Sequence, residues 1–250
     1  MISAIVLTRN EEENITHCLQ SLSFCDEILV VDDHSTDNTF ELAEKTGAKV
    51  LKRKLQSDFA AQRNYAAKQA KGDWLIYLDA DEILSPQLKK EIQEVMSLSK
   101  NGQPVAYYLK RRDFFWNHEM LYGETMKVRR DGLIRFMRKD AGEWRGNVHE
   151  EFHTTHKTGQ LHGFIDHYPH QTITSFLQEI NSYSSLRADE LASQGHKASF
   201  LETFGNPFFK FWYTYIILLG FADGPAGFVY SFFMSFHSFL VRAKLYQKQI

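Results

Sequence analysis

The sequence predicts an α/β protein, because short apolar runs alternate with helical segments over residues 1–100. Of these runs, Trp74–Leu78 lacks the polar alternation of a half-solvated sheet, which favours a strand that is covered on both faces. Three of the runs end in polar or acidic residues. Phe, Tyr and Trp crowd into residues 204–246 and set a C-terminal tail apart. We therefore expect βαβ units with one polar edge, followed by aromatic-rich helices.

The order of elements follows from these runs and from the residues that start and stop helices. The predicted strands are Ile2–Leu7, Glu27–Val31, Val50–Leu51 and Trp74–Leu78. The predicted helices are Glu11–Leu22, Asn38–Lys45, Asp58–Ala70 and Pro86–Ser99. Acidic residues at Glu11–Glu13 suit the positive end of a helix dipole, and Ser85 with Pro86 suits a cap and first turn.

The run at Trp74–Leu78 stops at three carboxylates, Asp79, Asp81 and Glu82. Ligands of open α/β sheets bind just beyond the carboxyl ends of strands. If the strand continued through Ala80, Asp79 and Asp81 would point the same way and repel each other unless a cation lay between them. Hard oxygen ligands suit Mg²⁺ or Mn²⁺. The alternative is a pair of solvated carboxylates that begins a turn.

Composition excludes some classes of function. A hydrophobic fraction of 43% and a charged fraction of 24% are ordinary for a folded domain. A net charge of -2 argues against a nucleic-acid partner, because no excess of Lys and Arg is present to neutralise phosphates. Cys18 and Cys25 make no disulfide framework, and the N-terminus lacks the basic region of a signal peptide. These features predict a cytoplasmic protein.

Four segments, in this order and spacing, resemble the large inverting family 2 of nucleotide-sugar glycosyltransferases, which has the GT-A fold. They are Ile5–Glu11, Val30–Thr39, Gln62–Asn64 and Gly72–Glu82. The family pattern usually has Gly where His34 stands, a departure that a turn tolerates. The resemblance implies a mixed central sheet, a UDP-sugar donor and a divalent cation, Mg²⁺ or Mn²⁺.

Carried over position by position, the resemblance implies roles for individual side chains. Thr8 and Asp33 would hold the base and ribose, and Arg63 would approach the nucleotide or diphosphate. Asp79 and Asp81 would form the metal motif, with Asp81 as the direct ligand. The whole implied donor-binding set is Thr8, Asn10, Asp32, Asp33, Arg63 and Asp79.

Inversion requires a carboxylate that takes the acceptor proton, and Glu150 is the candidate. It lies in Trp144–Glu151, which resembles the Trp-x-Gly-x-Val-His-Glu segment of family 2 enzymes that build bacterial lipopolysaccharide core. His149 of the same segment could contact the metal or the diphosphate. Three other carboxylates compete with Glu150 for the role of base, namely Glu143, Glu151 and Asp166. The alternative is that Glu150 and Glu151 are solvated residues at a strand edge.

The segment His149–His153 also matches the His-Glu-x-x-His pattern of zinc proteases. That pattern needs a helix to bring both histidines to one face, whereas the β-branched surroundings here predict a strand. Six histidines lie between residues 149 and 170, and we assign only His149 as a ligand. A phosphatase built on Asp-x-Asp would usually carry that motif on its first strand, which here ends in Thr8–Asn10.

The remainder of the chain predicts an acceptor-binding half and an attachment to membranes. We expect residues 1–100 to bind the nucleotide sugar, 101–170 to bind the acceptor, where Trp116 and Trp144 could stack on a sugar, and 171–250 to form C-terminal helices. The runs Phe208–Ala222 and Ala226–Val241 are too short for membrane spans and suit a hairpin in the membrane interface. The alternative is a helix pair that packs on the sheet or forms a homodimer contact.

The sequence thus predicts a metal-dependent inverting hexosyltransferase that is peripheral on the cytoplasmic face of a bacterial inner membrane. The resemblance of Gly220–Gly227 to the tail of lipopolysaccharide core transferases implies a lipid-linked saccharide acceptor. The implied donor is UDP-glucose, and the implied acceptor is an inner-core heptose. Other cell-surface glycans or proteins as acceptors, a non-catalytic UDP-sugar-binding protein and a hydrolase stay as alternatives.

Overall fold

The computed structural model describes residues 1–56, 58–98, 102–146, 150–169 and 172–249 of the 250-residue chain. The chain divides into two compact units that interleave along the sequence. The first comprises Met1–Arg111 and Val128–His167, and the second comprises Arg112–Lys127 and Tyr168–Ile250. The division of labour between a donor half and an acceptor half stays a prediction.

Eleven strands and eight α-helices make up the described part of the chain. The strands are β1 Ile2–Thr8, β2 Glu27–Asp32, β3 Lys49–Lys52, β4 Trp74–Asp79, β5 Glu82–Leu84, β6 Ala106–Phe115, β7 His118–Met120, β8 Leu133–Arg138, β9 Glu143–Arg145, β10 Glu151–His153 and β11 Thr158–His167. The helices are α1 Ile15–Ser21, α2 Thr39–Lys45, α3 Phe59–Gln69, α4 Pro86–Ser97, α5 Thr125–Asp131, α6 Ile173–Ser193, α7 Phe200–Trp212 and α8 Gly224–Gln247. A π-helical turn, Tyr213–Ile217, and a 3₁₀ turn, Gly220–Asp223, connect α7 to α8.

The central sheet is mixed, with the strand order β3-β2-β1-β4-β8-β6-β11-β5. Strands β3, β2, β1 and β4 run parallel, whereas β8 is antiparallel to both β4 and β6, and β5 is antiparallel to β11. Alternate residues of β4 enter two different apolar clusters, Ile76 and Leu78 in one, Leu75 and Tyr77 in the other. The predicted burial of this strand on both faces is confirmed.

The predicted first helix starts too early, since α1 begins at Ile15 rather than Glu11. The carbonyl of Glu11 instead accepts hydrogen bonds from the N–H groups of Asn14 and Ile15 in a turn. The Glu12 carboxylate accepts from the N–H and Nδ2 of Asn38 in the neighbouring loop, so it ties two loops together. Glu12, one of the acidic residues that suggested a helix start, therefore makes a tertiary contact. The predicted start of α4 is confirmed by the Ser85 cap with Pro86 in the first turn.

The second unit contains the predicted C-terminal helices, but their break lies earlier than predicted. The sequence placed it at residues 223–225, whereas the structure places it between Ile217 and Gly224. Leu219 adopts the left-handed φ of 59°, which ends the preceding helical turn. Within the described residues, no single helix has both the length and the apolar composition for crossing a membrane. The bent pair Phe200–Ile217 and Gly220–Gln247 meets that criterion jointly, with a bend of 70°.

Candidate active site

The carboxyl ends of β1, β2 and β4 lie side by side, as the sequence predicts. Thr8 pairs with Asp32 across β1 and β2, and Leu7 pairs with Asp79 across β1 and β4. The Asp33 N–H donates to the Thr8 carbonyl at 2.9 Å. Parallel pairing therefore gathers the polar ends of three strands at one edge of the sheet.

Thr8 and Asp33 line the part of this edge that the resemblance assigns to the nucleotide. The Thr8 hydroxyl is buried and has no hydrogen-bond partner in the described part of the chain. Buried polar groups nearly always have a partner, so this hydroxyl is consistent with a ligand at the edge. The Asp33 carboxylate accepts from the Leu55 N–H at 2.9 Å and pairs with Arg9 Nη1 at 3.1 Å.

Asp32 and Asn10 shape the loops beside that position. Asp32 is fully buried and accepts from the N–H and the hydroxyl of Ser35. Asn10 Oδ1 accepts from the Thr36 N–H at 2.8 Å. His34 has a φ of 53°, in the left-handed region that Gly adopts without strain, which accounts for the Gly that the family pattern has here. Contacts of Asp32 and Asn10 with a nucleotide stay predictions.

Asp79 is held by two arginines. Its Oδ1 accepts from Arg63 Nη2 at 2.8 Å, and its Oδ2 accepts from Arg135 Nη2 at 3.1 Å. Burial works to raise the pKa of Asp79, but the Arg135 and Arg63 guanidiniums outweigh it and hold that pKa well below its usual range. Each arginine keeps a buried Nη1 without a partner among the described residues, and such donors suit phosphate oxygens.

Arg63 also binds the candidate base, Glu150. Its Nε donates to Glu150 Oε1 at 2.8 Å, so one guanidinium bridges Asp79 and Glu150. The Arg63 residue is 1% exposed, and its guanidinium lies over the Trp144 ring at 4.8 Å. Burial lowers the pKa of Arg63, but Asp79 and Glu150 together raise it above its ordinary value. The bridge therefore joins the strand β4 edge to the segment that precedes β10.

The other predicted candidates for the base lie in different surroundings. Glu143 and Glu151 are exposed, and Glu143 pairs with Arg145 at 2.8 Å. Asp166 is half-buried on β11, where it pairs in register with Ile83 of β5. Their roles, like that of Glu150, stay predictions.

Asp81 faces His167. The strand ends at Asp79 and Ala80–Asp81 form a turn, so the alternation expected for a continuing strand does not apply. His167 Nε2 lies 3.2 Å from Asp81 Oδ2. Burial works to raise the pKa of Asp81, but His167 outweighs it and lowers that pKa. His149, the predicted third metal ligand, lies outside the described residues.

Asp81 and His167 are the two described side chains that could act as ligands of a divalent cation at this site. Over residues 1–56, 58–98, 102–146, 150–169 and 172–249, no three His, Cys, Asp or Glu side chains are grouped as a metal site. Asp81 and His167 provide one oxygen and one nitrogen ligand, while both oxygens of Asp79 already bind arginines. Mg²⁺ commonly uses one or two protein ligands and takes the others from phosphates and water. A cation held by Asp81 and His167 together with a diphosphate fits these residues.

Two residues of the site, Arg135 and His167, received no role from the sequence, and Glu82 was placed in the carboxylate cluster without a role of its own. Arg135 is a buried arginine inside the apolar strand β8, and a charge at such a position was a signal that could have been used. Glu82 is fully buried and accepts from the Asp79 N–H at 3.0 Å. Burial, followed by the charge of Asp79, raises the pKa of Glu82. His167 is one of the six clustered histidines, and only the fold shows that it lies beside Asp81.

Two further expectations concern the segment around Trp144. Of the His-Glu-x-x-His segment, residues 150–153 are described, and Glu151–His153 form a strand, so the helix that a zinc protease needs is absent from those residues. Trp144 is 5% exposed and packs edge-on against Tyr77, with ring centroids 5.1 Å apart. It packs in the core beneath Arg63 and leaves little surface for a sugar. Trp116 is 38% exposed and stacks on Phe115.

The chain has full-length relatives among bacterial glycosyltransferases. It is 29% identical over 255 residues to an uncharacterized glycosyltransferase of Rickettsia typhi, covering 98% of this chain and 86% of the relative. A second uncharacterized glycosyltransferase, of Rickettsia felis, is 30% identical over 98% of this chain and 89% of its own length. The lipopolysaccharide core biosynthesis glycosyltransferase LpsC of Rhizobium meliloti is 27% identical over 99% of this chain and 92% of its own length.

Solved structures resemble a part of the chain. Glucosyl-3-phosphoglycerate synthase from Mycobacterium tuberculosis, in complex with Mn²⁺, UDP and glucosyl-3-phosphoglycerate, is 23% identical over 46% of this chain and 44% of its own, with a TM-score of 0.37. The profile of Glycosyl transferase family 2 matches residues 3–158, more than half of the chain. With its α/β architecture and mixed sheet, the chain belongs to glycosyltransferase family 2 and has the GT-A fold.

Proposed function

We propose that this protein is an inverting hexosyltransferase that moves glucose from UDP-glucose to a heptose of the lipopolysaccharide inner core. The observation that carries the proposal is the Arg63 bridge, with Asp79 on one side and Glu150 on the other. It joins the edge that the family uses for a nucleotide sugar to a second carboxylate that can accept a proton. Glycosyl transfer needs both, because the charge on the departing diphosphate must be stabilised and the acceptor hydroxyl must lose its proton.

The reaction consists of one displacement. The acceptor hydroxyl oxygen forms a bond to the anomeric carbon from the face opposite the diphosphate, while the glycosidic carbon–oxygen bond to UDP breaks. Glu150 takes the hydroxyl proton, and UDP leaves with the bonding electrons. Arg63 and Arg135 each have a buried Nη1 that has no partner among the described residues and can donate to the departing diphosphate.

Asp81 and His167 would hold the divalent cation. Such a cation supplies positive charge to the diphosphate oxygens, so that UDP can depart without a proton. Asp79 would not be a ligand of the cation in this arrangement. Its two oxygens instead accept from Arg63 and Arg135 and hold both guanidiniums in place. Thr8 and Asp33 would bind the base and ribose at the neighbouring strand ends.

The choice of acceptor is supported by the full-length similarity to LpsC of Rhizobium meliloti, whose name assigns it to lipopolysaccharide core biosynthesis. An acceptor linked to lipid would place the reaction on the cytoplasmic face of the inner membrane. A different cell-surface glycan or a protein acceptor would leave the proposed donor chemistry unchanged, whereas a UDP-sugar-binding protein would show no turnover at all.

The test is a transfer assay with radiolabelled nucleotide sugars, heptose-containing core acceptors, and Mg²⁺ or Mn²⁺. We expect transfer from UDP-glucose with inversion at the anomeric carbon, read by NMR of the product. Glu150→Gln should keep UDP-glucose binding, measured by calorimetry, and lose about a thousandfold in kcat. Glu151→Gln, one residue further on an exposed side chain, is the matched control and should stay near wild type. Equal loss in both variants, or no turnover with any donor, would refute the proposal.

A further inference from the structure

One side of helix α7, in the second unit, is apolar and exposed. One outward row, at the i, i+4 spacing that lines one face of a helix, continues into the π-helical turn. The row consists of Phe200, Phe204, Phe208, Trp212 and Ile216, with exposed fractions between 37% and 77%. Phe209, Tyr213 and Ile217 lie beside it and are 53% to 71% exposed. Aromatic side chains usually face the core, so this distribution needs a covering partner.

The polar side of the same segment faces inward. Thr214 is 1% exposed, and its hydroxyl donates to the Lys210 carbonyl at 2.8 Å. Between Thr203 and Val241 the charged residues are Lys210 and Asp223. Lys210 Nζ pairs with Glu124 at 2.5 Å, and the buried Asp223 accepts from the N–H groups of Leu121 and Tyr122 at 3.1 and 2.9 Å. Both charges are therefore compensated within the second unit.

The composition of the exposed side identifies its partner. From Phe204 to Phe232, every exposed residue is apolar, Gly or Pro, except for Tyr213 with its hydroxyl. A protein partner would normally meet a polar rim and about one hydrogen bond per 100–200 Å². This surface offers almost none of these groups, whereas the hydrocarbon of a bilayer requires none. The observations therefore favour lipid over a second copy of the chain.

The backbone shape decides how the segment could enter a bilayer. Helix α7 has 13 residues, about 20 Å, which is short of the ~30 Å hydrocarbon core. The chain then bends by 70° before α8, and α8 packs back on α6 through Phe233 and Phe176, whose ring centroids are 4.8 Å apart. A segment that bends and returns to its own unit can be inserted from one side.

We infer that α7 with its π-helical and 3₁₀ turns, Phe200–Asp223, is a re-entrant insert in one leaflet of a phospholipid bilayer. Its outward aromatic side chains contact lipid, and both flanks, at Lys197 and Lys248, stay on the side from which it enters. The inference rests on the proposed function only in that a lipid-linked acceptor brings the protein to a bilayer. Its tests measure binding and topology, so transfer activity does not enter them.

The first test is flotation of the full chain with vesicles of phosphatidylethanolamine and phosphatidylglycerol. The double variant Phe208→Ser, Phe209→Ser should reduce the vesicle-bound fraction by at least about tenfold. The matched control Ile173→Ser, Leu177→Ser removes two exposed apolar side chains of α6 and should float like the wild type. Circular dichroism and urea unfolding establish that each variant is folded. Wild-type protein that does not float but dimerises through Phe208 and Phe209 would overturn the inference.

The second test is thiol accessibility in sealed vesicles, in a Cys25→Ser background where the buried Cys18 stays unreactive. Single variants Lys197→Cys, Ile217→Cys and Lys248→Cys are treated from outside with a membrane-impermeant maleimide. We expect labelling at 197 and 248 and protection at 217, with all three labelled when lipid is omitted. Protection at 248 would show a span, and labelling of 217 in vesicles would show that the turn never enters lipid. Either result would overturn the inference.

Discussion

The acidic edge of the first unit and the aromatic side of α7 in the second unit invert the usual distribution of residues in opposite ways. At the edge, Arg63, Arg135 and Glu82 are buried charged residues that contact other charged groups. On α7, side chains such as Phe200 and Phe209 are more than 70% exposed. Neither arrangement is what folding alone favours, because buried charges lose their hydration and exposed aromatic rings gain none of the free energy of burial. We therefore expect each region to contact a partner, a nucleotide sugar at the edge and lipid at α7.

The two regions should respond differently to mutation. Removing one member of a buried ionic network leaves an uncompensated charge inside, whereas truncating an exposed side chain removes few contacts. The expected effects on the free energy of unfolding therefore fall from the edge toward the outward side of α7.

The largest effect is expected at Arg63. Arg63→Met would leave Asp79 and Glu150 without their shared guanidinium and should lower the free energy of unfolding by about 3–5 kcal/mol. Arg9→Met is the control, because the Arg9 side chain is 66% exposed while it pairs with Asp33, and it should cost below about 1 kcal/mol. Urea denaturation measures both. Equal costs would show that the Arg63 bridge contributes no more than a surface pair.

The next effect is expected where α8 begins. A Cβ at Gly227 would lie 1.9 Å from the Gly220 carbonyl oxygen, so Gly227→Ala must separate the 3₁₀ turn from the helix. We expect a loss of about 1–3 kcal/mol, as for other overpacked sites. Gly205→Ala in α7 has open space around it and should be stabilising by up to about 1 kcal/mol. Thermal unfolding distinguishes them, and a neutral Gly227→Ala would contradict the close backbone contact.

A smaller, pH-dependent effect is expected at Glu82. Its pKa is raised by burial and by Asp79, so ionisation above the unfolded value costs the folded state stability. Glu82→Gln does not titrate, and its stability relative to wild type should rise as pH increases from 4 upward, by about 1.4 kcal/mol for each unit of raised pKa.

Glu27→Gln provides the control with the opposite sign. Burial works to raise the pKa of Glu27, but hydrogen bonds from the Lys71 N–H and the Ser3 hydroxyl outweigh it and lower that pKa. Stability from Glu27 is present above its unfolded pKa and is lost as pH falls. Relative to wild type, Glu27→Gln should therefore become less stable as pH rises. Parallel pH profiles of the two variants would contradict these environments.

The smallest effect on folding is expected on the outward side of α7. Phe208→Ala should change the free energy of unfolding in lipid-free solution by no more than about 0.5 kcal/mol, because the residue is 59% exposed. Phe176→Ala, at a residue 1% exposed, should cost about 3–5 kcal/mol. Comparable losses in the two variants would mean that Phe208 supports the fold and is not reserved for a partner.

The sequence predicts the parallel part of the sheet well because each strand there is a local apolar run with a polar end. Residues Ile2–Leu7 and Trp74–Leu78 need no distant information to be recognised as buried strands. The start of α1 could not be predicted, since Glu12 binds Asn38 from another loop. The break after α7 was misplaced because Pro225 fits the first turn of α8 rather than the interruption.

The site was predictable where a motif is continuous in the chain and not where folding assembles it. Asp79 and Asp81 follow a single strand, whereas Arg135 and His167 reach them from β8 and β11. Arg135 is 56 residues away from Asp79 in the sequence, so no local pattern connects the two. Arg63 and Glu150 were each selected by resemblance, and their direct contact emerged only from the fold.

The bridge from Arg63 has a consequence for how this chain can diverge from its relatives. One guanidinium binds two carboxylates that lie far apart in the sequence, Asp79 and Glu150. A lineage that replaces Arg63 leaves Asp79 with Arg135 alone and leaves Glu150 without an ion-pair partner among the described residues. We therefore expect Arg63 and Glu150 to be inherited together, and homologues with a neutral residue at position 63 to have exchanged the acid at position 150 as well.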